Sequence, residues 1–180
     1  MANNKLEDIF DKNTKILFCG MAPGQKSCEV GHYYANTGNR FWRILYEAHL
    51  IEGLINPSRE LRDLNYDKLK KAGIGLTDLV KDQCGMDSKI KFTEKDRERL
   101  LKLMKDNKKI KILIFNGKKP ASKFLQIKPK ELKFEYQKEK SKELGVDIYI
   151  MPSTSGVNTR FTTKDLTKLL KSYINNKIYA

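Results

Sequence analysis

The residues best able to do chemistry in this 180-residue chain sit in short polar stretches that directly follow apolar runs. The longest is Gly20-Met21-Ala22-Pro23-Gly24, continued by Gly31-His32-Tyr33-Tyr34-Ala35-Asn36 and by Asn39-Arg40-Phe41-Trp42. Glycines bracketing a proline predict a rigid turn whose backbone N–H groups are uncovered by side chains, fixed donors for an oxygen that gathers negative charge. The loop after it brings aromatic rings and a histidine. Asp78, just past Gly73-Ile74-Gly75-Leu76-Thr77, supplies a carboxylate that can bind a water and favour a cationic centre. Ser153-Thr154-Ser155 offers hydroxyls and N–H groups to phosphate oxygens.

The elements that must position these groups are legible in outline. Apolar runs at Lys15–Cys19, Gly73–Val80, Lys111–Phe115 and Val146–Ile150 read as buried strands. Between them, Asn39 opens a helix reaching about Leu50, with Phe41, Leu45 and Ala48 on one face. Thr93 with Asp96 and Thr162 with Asp165 are capping-box pairs, and Pro120 suits the first turn of a helix ending at Leu125. Leu100, Leu101 and Met104 form the predicted buried face behind Thr93, and Leu166, Leu169, Leu170 and Tyr173 that of the last helix. Residues 1–14 read as a lead-in with Leu6, Ile9 and Phe10 against the core, and 51–72 as mixed, with a turn at Pro57-Ser58 and apolar contacts from Leu61, Leu64 and Leu69. Residues 126–145 read as an exposed lysine-rich insertion, extended near Phe134–Tyr136. Alternating strands and helices imply an α/β fold, a three-layer α/β/α sandwich around a mainly parallel sheet of four or five strands, in one domain spanning 1–180. In such a sheet the pocket lies at the carboxyl ends of the strands, where all the polar stretches fall.

Composition narrows the classes. The net charge of +14 favours a polyanionic partner, and residues 101–145 alone carry 14 lysines against 5 acids. No apolar run is long enough to span a bilayer and the N-terminus is unlike a signal peptide, so a cytoplasmic, membrane-free protein is expected. Cys19, Cys28 and Cys84 form no close Cys-x-x-Cys set, which argues against a zinc or iron–sulfur site, and all are read as reduced. Gly117-Lys118 is no phosphate-binding P-loop, since Ile112 stands where its first glycine is required and Lys119 where Ser or Thr is. His49, on the helix, reads as structural.

The wording of these stretches resembles the uracil-DNA glycosylase superfamily, most closely the mismatch-specific branch with thymine-DNA glycosylase. Gly20, Pro23, Gly24, Gly31, Tyr34, Asn39, Phe41 and Trp42 match its first motif. Gly73-Ile74-Gly75 with Thr77, Phe115-Asn116-Gly117-Lys118, and Met151-Pro152-Ser153 with Ser155 match further pieces, each at a strand end, so the resemblance spans most of the chain. It implies a metal-free, cofactor-free monomer that flips a nucleotide out of double-stranded DNA and hydrolyses its N-glycosidic bond, leaving an abasic site. The implied substrate is uracil, in G:U or G:T mismatches among them.

The resemblance also assigns residues. Tyr34 falls where the family stacks an aromatic on the flipped base, and Gly20, Met21, Ala22, His32 and Asn116 complete the base-holding set. Gly156-Val157-Asn158 aligns with the inserting loop, with Val157 as an apolar wedge, while Ser153, Thr154, Ser155 and Arg160 grip the backbone. One position departs. The family pattern has a water-orienting asparagine where this chain has Ala22, and Asp78 is the expected replacement, with Asn39 as runner-up. Two other readings stand beside this: a glycosylase for another deaminated base such as hypoxanthine, and a catalytically weak DNA-binding member of the fold.

Overall fold

The computed structural model describes residues 6–56 and 62–178; the side chains of 62–65 and 176–178 are outside that description, as are Pro57-Ser58 and Leu61. Four strands, β1 (Ile16–Gly20), β2 (Ile74–Asp78), β3 (Ile112–Asn116) and β4 (Asp147–Met151), pair in the order β2-β1-β3-β4, all parallel. Each begins and ends one residue later than its apolar run, apart from β2, which occupies the middle of the longer run predicted there.

A strand buried on both faces needs apolar residues at every position, which is why these runs do not alternate with polar residues. Successive side chains still divide between the two faces. Ile16, Phe18, Ile74, Leu76, Ile112, Ile114, Tyr149 and Met151 join one core, while Leu17, Cys19, Leu113, Phe115, Ile148 and Ile150 join the other. The first core is roofed by α2 (Phe41–Glu47), α3 (Arg62–Lys71) and α7 (Thr163–Ile178). The second is closed by α4 (Glu94–Asp106) and α5 (Lys118–Leu125). This is the expected three-layer α/β/α sandwich with a parallel sheet of four strands. Among the described residues no helix is long and apolar enough to cross a membrane.

Both capping boxes form. Asp96 Oδ2 accepts from Thr93 N at 2.8 Å and Asp165 Oδ2 from Thr162 N at 2.8 Å, so each helix start satisfies its own exposed donors. Behind Thr93, Leu100 is buried as expected; Leu103 takes the second buried place, with Leu101 and Met104 partly covered. The helix expected over 39–50 is shorter because His49 adopts a left-handed φ of 59°. A short helix inside the first loop, α1 (Gln25–Val30), was not apparent from the sequence and ends on Gly31 with φ 69°. Residues 126–145 are not a free insertion. Leu132 is buried, Tyr136 bridges to Tyr149 on the edge strand, and α6 (Lys138–Leu144) follows. The lead-in behaves similarly at the other edge, where Ile9 bridges to Leu76, so each exposed edge is partly covered.

Candidate active site

The carboxyl ends of the strands open onto a cleft of about 1180 Å³, lined from the β1 turn, the aromatic loop and the segments after β2, β3 and β4. Gly20, Met21, Ala22, Tyr34, Asn39, Asp78, Asn116 and Ser153–Asn158, expected to form one site, all line it. His32 and Arg160 do not.

Asp78 is the centre of this arrangement. It is 3% exposed, and a β-carbon placed on Gly20 would collide with its Oδ1 and lie 3.7 Å from the Tyr34 hydroxyl. Both polar groups thus converge over the bare α-carbon of Gly20. Asp78 Oδ2 has no hydrogen-bond partner among the described residues, and Tyr34 Oη none of normal geometry, although the Asn116 side chain acts on that hydroxyl. Buried polar atoms are seldom left so, and a pair facing a cleft marks a place built to receive something else. Burial raises the Asp78 carboxyl to about 7, against the pull of Lys81. Burial, with Asp78 adding to it, also holds the Tyr34 hydroxyl far above its ordinary value, so it stays a neutral donor.

Behind Asp78 stands a charged network that sequence reasoning missed. Asp8 accepts from Arg99 at 2.8 Å, from Lys81 at 2.9 Å and from Thr77 Oγ1 at 2.6 Å. Arg99 also donates to the Asp78 carbonyl at 2.5 Å, and Lys81 to the Tyr33 hydroxyl at 2.7 Å. The carbonyl is pinned while the carboxyl is left to face the cleft.

The Tyr34 backbone takes a left-handed φ of 52°, which turns its ring onto Phe41 at 3.9 Å, nearly parallel. One face of the ring is therefore already used. His32 is turned inward: it is 2% exposed, its ring stacks on Tyr66 at 5.0 Å and meets Trp42 edge-on at 5.3 Å, and Nδ1 donates to the Tyr33 carbonyl at 2.7 Å. The expected contact with a base is thus replaced by one that shapes the aromatic loop.

Thr154 needs a similar correction. It is fully buried, accepts from Asn116 Nδ2 at 2.9 Å and donates to Asn39 Oδ1 at 2.8 Å, while its N–H meets Asn116 Oδ1 at 2.9 Å. Its hydroxyl is consumed internally, so it aligns the two asparagines instead of gripping phosphate. Asn39 Oδ1 also caps the Phe41 N–H at 3.0 Å, although Arg40 occupies the N-cap position itself. The Asn158 amide is spent on the Ser153 carbonyl at 2.8 Å. Val157, by contrast, is 89% exposed at the cleft. Arg160 is exposed outside the cleft lining, its guanidinium over the Phe161 ring at 5.7 Å.

Two further features escaped the sequence. Arg40 donates to the carbonyls of Thr154, Ser155, Asn158 and Phe161, holding the whole 154–161 loop from one side chain. Cys28 and Cys84 are joined in a disulfide, which corrects the reading of all cysteines as reduced; only Cys19 is free, and it is buried. The bond ties α1 to the segment after β2, both on the cleft rim. Nothing in the spacing of cysteines 56 residues apart announced it.

Comparison with known proteins gives the family. The chain is 33% identical over 159 residues to a protein named hypoxanthine DNA glycosylase from Methanosarcina barkeri (strain Fusaro / DSM 804), covering 84% of this chain and 85% of that one. A protein of the same name from Methanosarcina acetivorans is 32% identical over 161 residues, covering 86% and 87%. An NMR structure from Methanosarcina acetivorans, provisionally described as a uracil DNA glycosylase, superposes with a TM-score of 0.68 at 25% identity over 96% of this chain and 97% of its own. Residues 7–175 match the sequence profile of the uracil DNA glycosylase superfamily, and the chain belongs to that family of DNA glycosylases, hydrolases of N-glycosyl bonds.

Proposed function

We propose that this glycosylase releases hypoxanthine from duplex DNA, with Asp78 as the general base. The observation that carries the chemistry is the buried Asp78 carboxyl with Oδ2 unpartnered at the cleft. A carboxyl raised to about 7 is close to the pKa that makes a general base most effective near neutral pH. Asp78 takes a proton from a water whose oxygen bonds to C1′ of the flipped nucleotide. The electron pair of the C1′–N bond leaves with the base, which departs as an anion, and the Asp78 carboxylate, still ionised while that bond is breaking, favours the cationic sugar before it accepts the water proton. Tyr34 Oη, a neutral donor, hydrogen-bonds the departing base.

The preference for hypoxanthine is supported by the names of the two relatives and by Ala22, which is smaller by a whole carboxamide than the asparagine of the family pattern and leaves room for a bicyclic base. Uracil is the second reading, favoured by the description of the structural neighbour. Binding rests on the net charge of +14 and weakens with salt. The test is a base-release panel on duplexes bearing hypoxanthine, uracil or mispaired thymine. Abasic product from hypoxanthine, lost by roughly 10²–10⁴-fold in Asp78→Asn, is the expected result. Release of uracil alone would transfer the assignment to uracil; salt-sensitive binding with no product from any duplex would leave a DNA-binding protein without the chemistry.

A further inference from the structure

Among the described residues five large apolar side chains stand exposed: Val30, Tyr46, Leu54, Met86 and Val157. Only Met86 and Val157 line the cleft. Val157 follows β4 and Met86 follows β2, the two outer strands of the sheet. Three strand spacings separate those strands, about 14 Å, so the loops that carry the two apolar side chains leave from opposite ends of the sheet's carboxyl edge, with β1 and β3 between them.

An exposed methionine at a loop tip is ordinarily unremarkable, because a free tip costs little to hold in water. This one is held in place. Cys84 is bonded to Cys28, Gly85 N donates to the Pro23 carbonyl at 2.9 Å, and Gln83 closes the loop on both sides of Lys91. Gln83 Nε2 donates to the Lys91 carbonyl at 2.7 Å and its Oε1 accepts from Lys91 N at 2.9 Å. A segment clamped from three sides that nevertheless leaves a methionine 68% exposed at a DNA-facing cleft is presenting that side chain. Methionine suits the task, being long, flexible and polarizable enough to lie against a base.

We propose that Met86 is a second inserting residue, which packs against the base stack of the duplex on the far side of the flipped nucleotide from Val157. Unstacking one base step is costly, and apolar side chains that fill or flank the gap offset that cost. Two of them, one at each end of the cleft, hold the distorted duplex open from both sides, whereas Val157 alone is a small wedge. The inference rests on the reading of the chain as acting on a nucleotide flipped from duplex DNA, and not on which base it releases.

The experiment measures Kd for a duplex carrying a tetrahydrofuran abasic analogue and for the matching single strand, with 2-aminopurine beside the analogue in the duplex. Met86→Ala is expected to raise the duplex Kd about tenfold, the effect of leaving one such side chain unburied, and to remove the change in 2-aminopurine emission that wild type produces. Met86→Leu should retain both. Val30→Ala, which removes an exposed apolar group outside the cleft, should leave the duplex Kd as it is. An unchanged duplex Kd and emission in Met86→Ala overturns the proposal, and so does an equal loss on duplex and single strand, because then no base stack is being read. Wild type that binds the abasic duplex yet releases no base removes the glycosylase chemistry while leaving Met86 to be judged by these measurements; wild type that does not bind it overturns both.

Discussion

Gly20 and Asp78 are register partners at the carboxyl ends of β1 and β2, and the carboxyl of the second fills the space that a side chain on the first would need. The glycine is therefore required by what stands beside it. Gly20→Ala forces the Asp78 side chain to rotate out of its buried position, a strain of about 1–3 kcal/mol. Because Asp78 is the proposed base, the loss of rate should exceed what the change in stability explains. Single-turnover release should fall about 10²-fold in a protein that remains folded by thermal melting. Retained turnover would mean that Asp78 can leave its position without consequence, and would remove it from the mechanism.

The raised carboxyl makes two pH predictions. As a general base Asp78 acts when ionised, so single-turnover rate should rise with pH through about 7 and level off above it, and Asp78→Asn should abolish that limb. A falling limb through the same range would identify the protonated form as the active one and reverse the role. Stability runs the opposite way. The folded state holds the proton more tightly than the unfolded chain does, so the contribution is full below the ordinary carboxyl range near 3.8 and is lost as pH rises through about 7. A shift of this size corresponds to roughly 4 kcal/mol as an upper bound. Urea unfolding of wild type against Asp78→Asn from pH 4 to pH 8 reads the slope.

What the sequence disclosed follows from locality. Runs such as Ile112-Leu113-Ile114-Phe115 specify strands buried on both faces because their own residues meet the requirement, and Thr93 and Asp96 announce a helix start within four residues. The pocket was legible for the same reason, since every chemical stretch follows a strand and parallel strands end on one side. Orientation was not legible. Thr154 and His32 sit in the right loops, but whether a side chain turns to solvent or core depends on partners such as Asn116, Asn39, Tyr66 and Trp42 supplied by other elements. The helix α3, lysine-rich and with few apolar residues, carried no usable period, yet its fully buried Leu69 and its buried Tyr66 anchor it to the sheet. The bond between Cys28 and Cys84 is non-local in the same way.

That bond yields the next prediction. A link closing a loop of this length stabilises by about 2–4 kcal/mol, chiefly by restricting the unfolded chain. Cys84 is exposed, so a reductant reaches it. Wild type in reductant, and Cys84→Ser without it, should unfold at lower denaturant concentration by the same amount, with Cys84→Ser insensitive to reductant. Equal midpoints for oxidised and reduced wild type would show that the two cysteines are not joined in solution.

Arg40 separates holding a loop from holding DNA. Its guanidinium is committed to the carbonyls of residues 154, 155, 158 and 161, so its charge faces protein and not phosphate. Arg40→Met keeps the stem and removes every one of these bonds, costing about 2 kcal/mol for carbonyls that had a charged donor. The loop carrying Val157 then samples other positions, and affinity for the abasic duplex should fall roughly tenfold with the dependence of log Kd on log salt unaltered, because no counterion-releasing contact has gone. Arg160→Ala should behave in the contrary fashion. It leaves the loop in place, but removes an exposed cation that can reach the backbone, so affinity falls with the salt slope reduced by about 1. A reduced slope in Arg40→Met would show instead that Arg40 leaves its carbonyls for phosphate when DNA binds. An unaltered slope with weakened binding is what a side chain that only braces the wedge loop must give.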